Sequence, residues 1–354
     1  MYLPKFTITN NILKSIGSIE ASKEVIENAP LVPFYEKQFK TDALAKTVHH
    51  GTHIEGVGLS SLDQVKKLLE GEEVIAHERD IQEVINYRNV MKLLDDLAAK
   101  RGGYDSEMIL DIHRETVNKI ISDEKVGVFR STQVVIKEET TGKVILQPPP
   151  SVEVPYLVSD FLEWLNSPNA LELNPILRAG ISHYILVSIH PFVEGNGRTV
   201  RAFANLILMR EGYDLKRYFA LEEYFDRDLS GYYDAFARVD SQSRIIAERD
   251  LTSFVEYFCN AVSIELSKIK ERVRKLSVDS KLKGKLGEQI ALTERQMKLV
   301  EYLSENGSAQ MPELKDVLPM VSDDTVLRDL NSLLEKDVIK KEGKTKAARY
   351  IINK

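Results

Sequence analysis

His190-Pro191-Phe192-Val193-Glu194-Gly195-Asn196-Gly197-Arg198-Thr199-Val200-Arg201 is the stretch from which the fold is read. Before it, residues 175–189 are almost all apolar or small, the mark of a buried central helix. After it, residues 196–211 resume the same kind of pattern, so the segment is a glycine-rich turn between two helices. A helix beginning near Asn196 presents unpaired N–H groups and a partial positive charge. Gly195 and Gly197 let a ligand approach that backbone closely. Such a turn is an anion site, and phosphate is the usual anion. Arg198 and Arg201 lie one turn apart, share a face and reach the same anion. Glu194 beside a phosphate is electrostatically wrong unless a divalent cation lies between them. Mg²⁺ bound by one carboxylate and by phosphate oxygens resolves the conflict. His190 then stands as a general base. The parts together describe phosphoryl or nucleotidyl transfer to a hydroxyl.

Outward from this turn, most of the first 275 residues read as helix, and the fold class is mainly α. Apolar residues recur at helical spacing over 76–100, and Gly102-Gly103 stops that helix. Residues 106–121 and 154–166 are again amphipathic. One segment breaks the rule: 131–137 is β-branched and extended, Thr141-Gly142 supplies a turn, and 143–146 returns, which predicts a β-hairpin ended by Pro148-Pro149-Pro150. Residues 246–275 read as a long helix and the polar stretch 277–289 as a linker. Beyond it, Thr293 opens a helix, 311–318 and 323–335 give two more with Ser322 as N-cap, and 338–352 reads as two short strands. Three helices and a hairpin in that order suggest a small C-terminal winged helix-turn-helix domain. The chain thus divides into an N-terminal helical region (1–100), a core (101–245), a long helix with linker (246–289) and the winged helix domain (290–354).

The composition sets outer limits. With 354 residues, 43% hydrophobic and 29% charged, the chain is an ordinary globular protein with a real core. A net charge of −6 gives no global basic signal for nucleic acid. One cysteine, Cys259, fits a reducing compartment. The N-terminus lacks the apolar run of a signal peptide, and no stretch approaches the roughly 20 apolar residues of a membrane helix. The expectation is a cytoplasmic protein with no membrane partner.

The segment 190–201 resembles the signature of the Fic family, His-x-Phe-x-Asp/Glu-Gly-Asn-Gly-Arg-x-x-Arg, with every signature position filled. Residues 130–136 and the prolines 148–150 resemble that family's flap, and Tyr232-Tyr233 resemble its adenine-contacting pair. The resemblance implies a Fic helical bundle with a β-hairpin flap, and transfer of AMP from ATP to a protein hydroxyl. It makes His190 the catalytic base and Glu194 the Mg²⁺ ligand. Gly195, Asn196 and Gly197 cradle phosphates, and Arg198 neutralises the leaving pyrophosphate. Phe192 anchors the loop, while Ile136 and Lys137 lie over the nucleotide. The flap takes an extended segment of a target protein by strand addition. A homodimer is a common state of this layout.

Upstream, His49-His50-Gly51-Thr52-His53-Ile54-Glu55-Gly56 reads as a helix end with Gly56 as its cap. It resembles the family's inhibitory motif, Ser/Thr-x-x-x-Glu-Gly/Asn, within a helix over about 41–56. Gly51 occupies the hydroxyl position, and Thr52 follows one residue later. By this resemblance Glu55 forms a salt bridge with Arg201, removes it from the ATP γ-phosphate and places a negative charge nearby. Glu55 and Arg201 are then nucleotide-contacting and regulatory at once. The same carboxylate could orient water and run the reaction in reverse, as a de-AMPylase or bifunctional enzyme. A third reading is a nucleotide-sensing, DNA-binding regulator, although an intact His190 favours an enzyme.

Other signals carry less. His49 and His53 lie one helical turn apart, as in a zinc site, yet no second ligand cluster accompanies them. His113 and His183 sit on largely apolar helices and read as packing residues. In the winged helix domain, Lys336, Lys340, Lys341, Lys344, Lys346, Arg349 and Lys354 suit a phosphate-contacting wing. Asp323-Asp324, at the start of the recognition helix, would be repelled there, while Thr325 and Arg328 remain possible contacts, so DNA and a protein-docking or dimerisation role both stay open.

Overall fold

The computed structural model describes residues 2–31, 33–59, 61–137, 144–277, 292–343 and 348–353. In chain order its main helices are α1 (Asn10–Asn28), α2 (Pro33–His53), α3 (Leu62–Glu70), α4 (Glu78–Ala99), α5 (Ser106–Thr116), α6 (Val154–Leu165), α7 (Pro168–Leu171), α8 (Pro175–Ile189), α9 (Asn196–Arg210), α10 (Leu221–Arg227), α11 (Leu229–Asp240) and α12 (Thr252–Leu276). A short antiparallel pair, β1 (Ile136–Lys137) and β2 (Val144–Leu146), projects between α5 and α6. The chain separates into two compact units, one of residues 1–23 and 42–267, the other of 24–41 and 268–354.

The centre of the first unit is the α8–α9 pair, with α4, α5 and α6 packed around it. Local chemistry fixes where α8 starts and stops. Asn174 caps its N-terminus by accepting from the Ile176 amide, and Pro175 supplies a fixed φ at the first position. It ends at His190, whose φ of 51° is left-handed and rare for a residue with a Cβ. Nearly every α8 residue is buried, including Arg178, which pairs with Glu211 at 2.7 Å.

Three expectations change. The helix predicted over 106–121 ends at Thr116. The Asn86 side-chain amide takes the backbone carbonyls of Thr116 and Asn118 at 3.2 and 2.7 Å, and Lys119 is left-handed, so a tertiary contact overrides the local pattern. The first strand of the hairpin is far shorter than 131–137, while the second, Val144–Leu146, falls within the expected 143–146. Arg130 claims the carbonyls of Thr132 and Pro149, which keeps the stem out of the strand ladder. Its turn, 138–143, lies outside the described residues. Residues 246–248 form a separate short turn before α12 begins at Thr252.

In the second unit, α13 (Glu294–Asn306), β3 (Ser308–Gln310), α14 (Met311–Val317), α15 (Asp323–Glu335), β4 (Ile339–Glu342) and β5 (Arg349–Ile352) form a winged helix domain. Thr293 caps α13 in a reciprocal box with Gln296. The sheet order is β3–β5–β4, antiparallel throughout. The sequence reading contained β4 and β5 but not the three-residue edge strand β3, which is too short for an alternation signal. Leu299, Leu303, Leu314, Val326, Leu330, Leu333 and Ile339 form the core. Ser322 stands at the N-cap of α15, but its hydroxyl meets Thr325 Oγ1 at 2.9 Å rather than the backbone. Most of the expected linker, 278–289, lies outside the described residues.

Candidate active site

The turn between α8 and α9 is held by its own side chains. Asn196 grips the Phe192 peptide from both sides: Oδ1 accepts from the Phe192 amide and Nδ2 donates to the Phe192 carbonyl, each at 2.9 Å. Phe192 is fully buried and stacks on His113, ring centroids 3.7 Å apart and almost parallel. His113 Nδ1 accepts from the Gly127 amide at 3.0 Å, which leaves Nε2 as the protonated nitrogen that donates to the Glu194 carbonyl at 3.0 Å. Burial first, then the charges of Arg198 and Arg114, push His113 down to about 4, so this neutral tautomer persists at neutral pH. Gly195 has φ of 76°, and a Cβ there would meet Val117 Cγ1 at 2.6 Å.

His190 is oriented from below. Arg130, 3% exposed, donates Nε to the His190 carbonyl at 2.8 Å, while its own amide donates to Pro191 O at 2.9 Å. Burial and the charge of Arg130 push the imidazole down to about 4, against the backbone of Val187 and the carboxylate of Glu55. His190 is therefore neutral and able to accept a proton at physiological pH.

Beyond the turn, α9 starts at Asn196 with first-turn amides that have no intrahelical acceptor. Arg198 and Arg201 are both buried beside it. Glu55 reaches across to this point. Its Oε1 accepts from Arg201 Nη2 at 2.8 Å, and the same nitrogen donates to Gly51 O at 2.8 Å. The carboxylate rests on Gly197, where a Cβ would lie 2.1 Å from Glu55 Oε1. Burial pushes the Glu55 carboxyl up, but Arg201 and Arg198 outweigh it and hold the group below the usual range.

The helix that delivers Glu55 is tied down at other points. Lys46 pairs with Glu223 at 2.8 Å, and His50 and His53 each place Nδ1 2.7 Å from one oxygen of Asp226 on α10. These histidines therefore anchor the helix to α10 by hydrogen bonds. Among the described residues no three metal-type ligands gather at one point. Gly51 has a physical reason to lack a hydroxyl: a Cβ there would stand 2.3 Å from the Tyr87 ring. The Thr52 hydroxyl bonds its own helix, at Val48 O and His49 O.

The two tyrosines separate. Tyr232 is 3% exposed, stacks on Phe225 and meets His183 Nε2 at 2.8 Å, whereas Tyr233 is 50% exposed. His183 is fully buried and pushed down to about 3 by burial and by Arg201, so it is a neutral core residue as expected. Ile136 and Lys137 lie on β1. Glu194 keeps a partly open carboxylate, 35% exposed, and pairs with Arg79. Arg79 and Glu83 on α4, Arg130 and His113 all contact the motif. Their partners lie 60 to 115 residues away in sequence, so no local pattern marks them.

The description of the Fic/DOC family matches residues 103–208. That segment is a Fic domain. A DeoR-like helix-turn-helix domain matches residues 295–343. Among curated relatives, the Caenorhabditis elegans protein adenylyltransferase fic-1 is 37% identical over 171 residues, covering 47% of this chain and 32% of that protein. The Drosophila grimshawi protein adenylyltransferase Fic is 32% identical over 183 residues, covering 50% and 35%. The chain thus spans about a third of the length of these relatives. A Fic family protein from Desulfovibrio desulfuricans G20 shares the fold over 99% of this chain and 98% of its own, with a TM-score of 0.68 at 24% identity. Residues 134–508 of C. elegans Fic-1 align with a TM-score of 0.61 at 27% identity, covering 75% of this chain and 74% of that one. The Fic domain and the C-terminal winged helix domain expected from the sequence are both present.

Proposed function

We propose that this chain is a protein adenylyltransferase, transferring AMP from ATP to a hydroxyl of a target protein, and that Glu55 restrains it through Arg201. The observation that carries the reading is the meeting of a neutral His190, two buried arginines and the N-terminus of α9 at one turn. Relatives of the matched segment are named protein adenylyltransferases. His190 takes the proton of the target hydroxyl as its oxygen bonds to the α-phosphorus. The bond from that phosphorus to the β-phosphate bridging oxygen breaks, and pyrophosphate leaves. Arg198 and the α9 amides balance the charge on the departing group. Tyr233 supplies the open ring for the base, and β1 offers an edge to an extended target segment.

The donor set fits Mg²⁺: one partly open carboxylate, Glu194, beside an anion site suits an ion that binds one or two carboxylates plus substrate phosphates. Bound there, Mg²⁺ would neutralise phosphate charge. Glu55 bars ATP twice, by occupying Arg201 and by resting on Gly197, where phosphate would approach the backbone. In full-length Glu55→Gly protein incubated with ATP and Mg²⁺, intact mass is expected to rise by one AMP, with no gain when His190→Ala is added. Failure of the single variant to gain mass on itself or on added cell protein would sink this function.

A second direction has one observation behind it. The Glu55 carboxylate stands inside the anion site with 30% of its side chain open, where it can orient water toward a bound AMP ester. Release of AMP from a modified protein by wild type, absent from Glu55→Gly, is the result expected of a reversing enzyme. For the winged helix domain we propose a protein partner rather than DNA. Its recognition helix exposes Asp323, Asp324 and Leu327, with Met320 almost fully exposed just before it. Salt-sensitive binding to duplex DNA at micromolar concentration would contradict that assignment. No helix among the described residues is long and apolar enough to cross a membrane.

A further inference from the structure

Two residues of α4 that this function does not use face the motif with charges opposite to its own. Arg79 binds the Glu194 carboxylate through Nη2 and Glu83 Oε1 through Nε, the latter at 3.0 Å. Glu83 Oε2 lies 3.0 Å from Arg198 Nη1. Glu194, Arg79, Glu83 and Arg198 therefore alternate in sign from the open edge of the site to its buried side. Their exposures grade the same way: the side chains of Arg198 and Glu83 are 3% and 6% exposed, Glu194 is 35% and Arg79 is 57%. The inner pair is built in, and the outer guanidinium reaches from solvent.

We propose that Arg79 is a positioning residue that competes with the divalent cation for Glu194, with Glu83 as its fixed pivot. The inference rests on the reading of Glu194 as the metal carboxylate. In charge, Arg79 stands where the cation would, and Glu83 stands against Arg198 where phosphate oxygens would. Binding a metal–nucleotide is then an exchange of partners rather than the filling of bare charges. The outer pair is partly exposed and weak, so it yields to a divalent ion. The buried Glu83 keeps hold of Arg79 Nε, so the displaced guanidinium stays at the rim and returns when the ion leaves. A guanidinium does not deprotonate in proteins, so Arg79 keeps its positive charge as the competitor. It acts on the metal, whereas Glu55 acts on Arg201, and the two restraints are separate.

The test uses Mn²⁺ as the probe, followed by water-proton relaxation, on full-length protein saturated with ADP. ADP has no γ-phosphate to compete for Arg201, and Glu55 is the same in every variant compared. Arg79→Gln is expected to bind Mn²⁺ about fivefold more tightly than wild type, a gain of ~1 kcal/mol. Arg79→Lys, which keeps the charge without the forked geometry, is expected to fall between the two, and Glu194→Gln to lose the site. If Arg79→Gln binds no more tightly while Glu194→Gln still loses Mn²⁺, the competition is refuted and the metal carboxylate stands. If Glu194→Gln binds as wild type does, both readings fall.

Discussion

Asn196 and Glu55 meet the same end of α9, and they do so in opposite ways. Asn196 is buried and neutral, and its amide closes on the Phe192 peptide with two hydrogen bonds inside one turn of chain. Glu55 is charged, has 30% of its side chain open, and comes from 146 residues away to make one ion pair. The first arrangement has no competitor for its polar atoms. The second sets a carboxylate against any phosphate that seeks Arg201. On the proposed function, the site keeps its shape with buried neutral bonds and would be restrained by a partly exposed charge.

A substitution series breaks this comparison in order of size. Phe192→Ala removes the ring that stacks on His113 and is expected to lower stability by about 3–5 kcal/mol, with loss of activity. Asn196→Ala leaves the buried Phe192 amide and carbonyl without partners, at about 1–3 kcal/mol. Glu55→Gly is expected to cost only about 1 kcal/mol, since the Glu55 side chain is 30% open and the buried Arg201 keeps the Gly51 carbonyl, while activity rises. Urea denaturation of the three variants gives the ranking; a Glu55 variant as unstable as the Asn196 variant would erase the distinction. The smallest effect lies in pH. His190 is already neutral above about 4, so kcat/KM of the Glu55→Gly enzyme should stay flat from pH 6 to 8. Because the Glu55 carboxylate raises the imidazole pKa, its removal moves the fall further toward acid, not toward neutrality. An inflection near 6.5 would mean that the imidazole titrates as a solvated one.

Much of this was legible in the chain, for a physical reason. The motif is contiguous, so helix end, glycine turn and arginines declare one another within twelve residues. Glu55 is legible because Ile54-Glu55-Gly56, at a helix end, resembles the family's inhibitory motif. The resemblance could not show why Gly51 replaces a hydroxyl, since the reason is the ring of Tyr87, brought there by tertiary packing. Arg130 read as the first residue of a flap; its role under His190 depends on carbonyls sixty positions on. His113 read as packing, and it does pack, but its Nε2 also fixes the Glu194 backbone. The tyrosine pair read as one unit, and helical geometry turned one ring into the core and the other toward solvent.

Gly197 has no side chain, and the Glu55 carboxylate occupies the space a Cβ would take. The same hollow is the one through which a phosphate would approach the helix amides. On the proposed function, restraint and substrate would share a single seat, which no substitution could widen or narrow for one alone. A side chain at 197 would evict the restraint and bar the nucleotide together. On the proposed reading, release without a change in the motif would originate in the helix that carries Glu55, through whatever loosens its hold on Asp226 and Glu223.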